Sequence, residues 1–105
     1  MDYYKVVFTE TFLEDLRAIV TAIARHNSDA ARLLGELIIS TAEDLTFFPE
    51  RHPRVRQRLD IRRFIVKQHF KTFYRVNSEA RTVEILRCWD GRRGSEPATP
   101  SKIKD

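Results

Sequence analysis

The sequence predicts an α+β fold of order β-α-α-β-β-β, with a helical hairpin packed on one face of a small, mainly antiparallel sheet. Three observations predict it. Apolar residues recur at helical spacing from Phe12 to Ile23 and again from Ala30 to Leu45. Beyond Phe48-Pro49 the period falls to two, in three runs separated by short connectors. An aromatic and β-branched run, Tyr3 to Phe8, precedes the helices.

Residues 3–8 read as the first strand. Thr9 or Thr11 then caps a helix, and Thr11-Phe12-Leu13-Glu14 fits the capping box in which Glu14 returns a bond to the cap. Phe12, Leu16, Ile19, Val20 and Ile23 form its apolar stripe, with Asp15 and Arg17 off it. The polar break His26-Asn27-Ser28-Asp29 offers Ser28 as cap of a second helix running to about Phe47. Ala30, Leu34, Leu37, Ile38, Thr41 and Leu45 give its buried stripe. Pro49 ends it, because a residue before proline avoids the α region, and Phe47 and Phe48 are expected to pin that end into the core.

Residues 50–60 read as a basic connector. Residues 61–67, 70–76 and 82–89 read as strands, and their short connectors favour an antiparallel meander. Alternation puts Phe70, Thr72, Tyr74 and Val76 on one face of the middle strand, with Lys71, Phe73 and Arg75 on the other. In the last strand Val83 and Ile85 are expected to oppose Leu86 and Cys88. The face away from the helices is expected to stay open and basic. The chain of 105 residues fits one domain over residues 1–94 and a loose tail over 95–105.

Composition excludes several classes. One cysteine, Cys88, leaves no intrachain disulfide and no multi-cysteine zinc site. His26, His52 and His69 lie too far apart for a metal motif, so neither metal nor cofactor is expected. Three glycines leave no phosphate-cradling loop. No apolar run approaches the ~20 residues of a membrane span. The opening Met1-Asp2-Tyr3-Tyr4-Lys5 lacks a signal peptide's apolar stretch, so a cytoplasmic setting without membrane contact is expected.

The net charge of +4 hides an asymmetry. Residues 1–50 carry 4 basic and 9 acidic side chains, and residues 51–93 carry 13 and 4. An excess that steep suits an anionic partner, either nucleic acid or an acidic protein. The candidate set is Arg54, Arg56, Arg58, Arg62, Arg63, Lys67, Lys71, Arg75, Arg92 and Arg93. Guanidinium groups bind phosphates through paired hydrogen bonds and can stabilise a phosphoryl transition state.

Several short pieces, in order, resemble the RelE/ParE superfamily of toxins from bacterial type II toxin–antitoxin systems. They are Tyr4-Lys5-Val6-Val7-Phe8, Leu45-Thr46-Phe47-Phe48-Pro49, Arg62-Arg63-Phe64-Ile65-Val66, Phe73-Tyr74-Arg75-Val76, Val83-Glu84-Ile85-Leu86-Arg87 and Asp90-Gly91-Arg92-Arg93. The resemblance covers roughly residues 3–95. The resemblance implies a small α/β toxin neutralised by a cognate antitoxin, in a toxin–antitoxin hetero-oligomer.

Two activities diverge within the superfamily. RelE-like members cleave messenger RNA on the ribosome, whereas ParE-like members inhibit DNA gyrase without that catalytic set. The RelE-like reading would make Arg62, Lys71 and Arg93 catalytic, and leave Arg54, Arg56, Arg58, Arg63, Lys67, Arg75 and Arg92 to bind nucleic acid or target. No Tyr or His follows Trp89, and Asp90 stands where many relatives carry His. The resemblance thus tilts toward the ParE-like inhibitor. A ribosome-dependent endoribonuclease and an inactive relative that still binds antitoxin are the alternatives.

Overall fold

A computed structural model describes residues 3–93. It comprises β1 (Lys5–Phe8), α1 (Glu10–Ala24), α2 (Ser28–Glu43), 3₁₀ turns at Asp44–Thr46 and Pro49–Arg51, then β2 (Arg54–Val55), β3 (Arg58–Val66), β4 (Phe70–Asn77) and β5 (Thr82–Asp90). The strands form one mixed sheet in the order β1-β5-β4-β3-β2. Among the described strands, only β1 pairs parallel, against β5. The expected α+β architecture is present, with β2 as an extra edge strand inside the basic connector. Residues 95–105, expected as a tail, lie outside the described residues.

Thr9, not Thr11, caps α1. Its Oγ1 accepts from the Phe12 N–H at 3.2 Å and donates to the Ile85 carbonyl at 2.8 Å. One hydroxyl therefore starts the helix and ties it to β5. Asn27, not Ser28, caps α2, its Oδ1 accepting from the Ala30 N–H at 3.0 Å. The side-chain amide does this as well as a serine hydroxyl, so the turn between the helices shrinks to three residues.

The helices pack on one face of the sheet. Phe12, Leu16 and Ile19 of α1 and Leu34, Ile38 and Ala42 of α2 are buried against Phe64, Tyr74, Ile85 and Cys88. Val20, Ile23 and Phe8 are half-buried at the margin. Ala30 is exposed and Ala31 is buried in its place, while Leu34, Ile38 and Leu45 are buried as expected. A Cβ on Gly35 would stand 3.3 Å from Val20 Cγ2, so the helices approach closely there.

The second helix stops at Glu43, and the phenylalanines beyond it turn outward. Leu45 and Pro49 are the anchors, both buried. Phe47 is 44% exposed and Phe48 82% exposed. Phe48 adopts φ 51°, a left-handed conformation uncommon for a bulky residue. The chain reverses between two buried anchors, and this reversal swings the intervening rings away from the core.

The sheet's second face, expected to be open, is only partly so, with Ile65 47% exposed there. Val55, Ile61, Phe73 and Leu86 form a small buried cluster there. Leu86 reaches it through a β-bulge. Tyr74 pairs with Ile85 while Phe73 pairs with Arg87, so Leu86 is the additional residue. The bulge shifts the alternation, and Cys88 faces the helices with Val83 and Ile85 instead of opposing them. Thr72 and Cys88 are buried together, with the hydroxyl 3.7 Å from the sulfur. No helix among the described residues is long and apolar enough to cross a membrane.

Candidate target-binding surfaces

Arg62 lies on β3 directly opposite Tyr74, on the sheet face that meets the helices. Its Nη1 donates to the carbonyls of Glu50 at 3.0 Å and His52 at 2.7 Å. Beside it, the fully buried Tyr74 donates from its hydroxyl to the Pro49 carbonyl at 2.7 Å. Burial pushes the Tyr74 phenol up to about 12, so it remains a donor. Two side chains from the sheet thus hold the 49–52 segment. The His52 ring packs 5.6 Å from Phe64 and edge-on to Tyr74 at 6.3 Å. Its pKa is lowered by burial and by the neighbouring Arg51.

Lys71 stands opposite Ile65 on β3 and Trp89 on β5. Strand alternation puts it on the face away from Arg62, so the sheet separates the two. Its Cε approaches Gly91, whose N–H donates to the His69 carbonyl at 2.7 Å. A Cβ on Gly91 would come within 2.9 Å of that carbonyl, which explains glycine at this turn. Arg93 follows in the same turn, exposed beside α1. Arg62 is thus parted by the sheet from Lys71, with which it was expected to share a scissile phosphate.

Among the other expected basic residues, three are engaged within the chain. Arg58 forms a paired contact with Asp60, both bonds at 2.9 Å, and its hydrogen bond is the main cause that lowers the Asp60 pKa. Arg75 reaches Glu84 at 3.2 Å and Asp60 at 3.7 Å. Arg92 grips Asp90 through two 3.0 Å bonds and lies 5.0 Å from the centre of the Phe70 ring. Burial raises Asp90, but the hydrogen bonds from Arg92 outweigh it and hold the carboxyl below its usual range. Arg54, Arg56 and Lys67 are exposed and Arg63 is half-buried. These four make no ion pair with a carboxylate among the described residues.

Two arrangements were not visible in the sequence. Arg87 and Asp15, 72 positions apart, form a paired contact at 2.7 and 3.1 Å, and Asp15 also accepts the Cys88 N–H at 3.1 Å. That carboxylate satisfies β5 where β1 has ended. The second is a cleft on the outer side of α1. Arg17 and Arg25 enter it from one helical stripe, separated by Thr21, and Arg93 enters from the turn after β5. The spacing of 17, 21 and 25 was a usable signal, but nothing local indicated that Arg93 would join them. Among the described residues no group of three or more metal-ligating side chains comes together.

The chain was compared with known proteins. A model of the ParE toxin of the type II toxin–antitoxin system parDE matches residues 6–94. Among solved structures, the fold is similar to a chain of the RelBE2 toxin–antitoxin complex of Mycobacterium tuberculosis, with a TM-score of 0.63 and 25% identity over 84% of this chain and 98% of that one. It is similar to a chain of the chromosomal ParDE system of P. aeruginosa, with a TM-score of 0.72 and 17% identity over 86% and 98%. It is also similar to a free arginine-to-alanine double mutant of E. coli toxin RelE, with a TM-score of 0.62 and 16% identity over 90% and 88%. A search of curated protein sequences finds no match. At their identities the last two structures speak to the fold alone, whereas the family model covers nearly all of the described chain: this protein belongs to the ParE toxin family of type II toxin–antitoxin systems.

Proposed function

We propose that the protein is the toxin of a type II toxin–antitoxin pair, acting in the cytoplasm as a non-enzymatic inhibitor of DNA gyrase and neutralised by a cognate antitoxin. Membership of the ParE family supports the toxin role. One observation favours inhibition over RNA cleavage: Arg62 and Lys71 lie on opposite faces of the sheet, and Arg62 is held by two backbone carbonyls. A metal-free ribonuclease needs its cations and its proton carriers around one phosphate. The antitoxin reading is supported by the similar RelBE2 toxin–antitoxin complex of M. tuberculosis.

The test places the purified toxin, free of antitoxin, in two reactions. Gyrase supercoiling should be blocked, and messenger RNA in a reconstituted translation reaction should remain intact. Codon-positioned cleavage that disappears with Arg93→Ala would overturn the proposal and establish the ribosome-dependent ribonuclease. Unimpeded supercoiling with intact RNA would indicate an inactive relative.

A further inference from the structure

The cleft beside α1, about 450 Å³ in volume, gathers three arginines from two separate elements. Among the described residues, Arg17, Arg25 and Arg93 make no ion pair with a carboxylate, in contrast to Arg58, Arg75, Arg87 and Arg92. Eight residues of helix separate Arg17 from Arg25, a rise of about 12 Å. That span exceeds the reach of one small anion and suits a run of phosphates. Arg93 and Ala22 also line an adjoining cleft, which continues past Ile19 and Ile23 to His26 and Asn27 and adds no further unpaired arginine to the basic strip. Two carboxylates border it. Glu14 lies at one end, and Asp90 is held by Arg92.

The remaining lining decides between a protein and a nucleic acid. Protein interfaces are anchored by large apolar or aromatic side chains in pockets. Besides its charges, this cleft offers only Thr21 and two alanines. Its recognition is therefore electrostatic, and its cations are all guanidinium groups, whose planar forks match phosphate oxygens. We propose that this cleft holds the phosphate backbone of duplex DNA, whose axial charge density is about one per 1.7 Å. The proposal rests on the gyrase reading only in naming DNA rather than RNA. It adds a direct toxin–DNA contact to that reading, made at a surface distinct from the sheet.

The test is fluorescence anisotropy of the antitoxin-free protein with a 20-base-pair DNA duplex and with single-stranded RNA of equal length. Each phosphate contact contributes about 0.9 to the log–log salt slope. Arg17→Ala/Arg25→Ala/Arg93→Ala should therefore lower the slope by about 2.7. Between 50 and 200 mM salt, the wild type should lose about 40-fold more affinity than this variant. Lys5→Ala/Arg32→Ala, with charges removed elsewhere, should keep the wild-type slope. All three cleft arginines are exposed, so the fold should survive, as circular dichroism will show. Arg93→Ala alone should still lower the slope by about 0.9. An unchanged slope, an equal loss per charge in the control variant, or tighter binding of the RNA would overturn the inference. Gyrase inhibition without DNA binding would sink this inference alone. DNA binding with unimpeded supercoiling would sink the gyrase reading alone.

Discussion

Replacing Arg62 with methionine tests whether this residue is a structural clamp or a reserve of catalytic charge. The guanidinium donates to two carbonyls of the segment that Tyr74 also holds. Loss of a charged donor normally costs ~1.5–3 kcal/mol per bond, but Arg62 is half-exposed and water replaces part of the interaction, so the expected loss is ~1 kcal/mol. Tyr74→Phe removes a fully buried donor and leaves the Pro49 carbonyl with no replacement from the sheet, which should cost ~1–3 kcal/mol. For a domain of this size each kcal/mol lowers Tm by roughly 4–8 °C. Because both side chains hold one segment, the double variant should depart from additivity by ~0.5 kcal/mol or more. Urea and thermal denaturation of the four proteins, followed by circular dichroism, measures all of this. Should Arg62→Met melt within about 1 °C of the wild type and add to Tyr74→Phe without coupling, the clamp argument fails. The case against the ribonuclease would then rest on the opposite-face placement of Arg62 and Lys71 alone.

The remaining predictions concern the core, a turn, the thiol and pH. Ile38→Ala, at a fully buried site, should cost ~2–5 kcal/mol, and a loss below ~1 kcal/mol in the same urea titration would contradict its burial. Lys67 and Gln68 both have positive φ in the β3–β4 turn, so Lys67→Asn/Gln68→Gly should stabilise by ~0.5–1 kcal/mol; a lower Tm would refute the strain. Burial pushes the Cys88 thiol up to about 11, so Ellman's reagent at pH 8 should label it only after denaturant is added. His52 has a folded pKa below its unfolded value. The unfolded state therefore binds the extra proton first, and stability is full above about 6.5 and falls as pH drops through the folded pKa. His52→Phe should flatten that part of the Tm–pH profile, and an unaltered profile would assign the dependence to other groups.

The elements were legible because each carried its own period, while the exceptions depended on partners distant in sequence. Amphipathic spacing revealed both helices, and two-residue alternation revealed β3, β4 and β5. The same alternation failed at Leu86, because a bulge depends on what β4 presents opposite it and leaves no local mark. Hydrophobicity failed at Phe47 and Phe48, where apolar character suggested burial but Leu45 and Pro49 already anchored the chain. Ser28 and Asn27 are equally good caps on chemistry alone, and the path of the turn chose between them.

Charge was the hardest property to read. The excess in residues 51–93 is real, yet counting cannot tell which guanidinium groups face water and which hold the fold together. Arg58, Arg75, Arg87 and Arg92 meet carboxylates, and Arg51 and Arg62 meet backbone carbonyls. Arg87 finds Asp15 only because α1 crosses the exposed edge of β5 just beyond the end of β1. Much of the apparent nucleic-acid surface is thus internal bonding. The cleft that lacks carboxylate partners for its arginines draws two of them from α1, in the acidic half of the chain where no basic surface was expected. A binding surface is set by the cations left over after folding, and in this protein the net charge of a segment was a poor guide to where those lie.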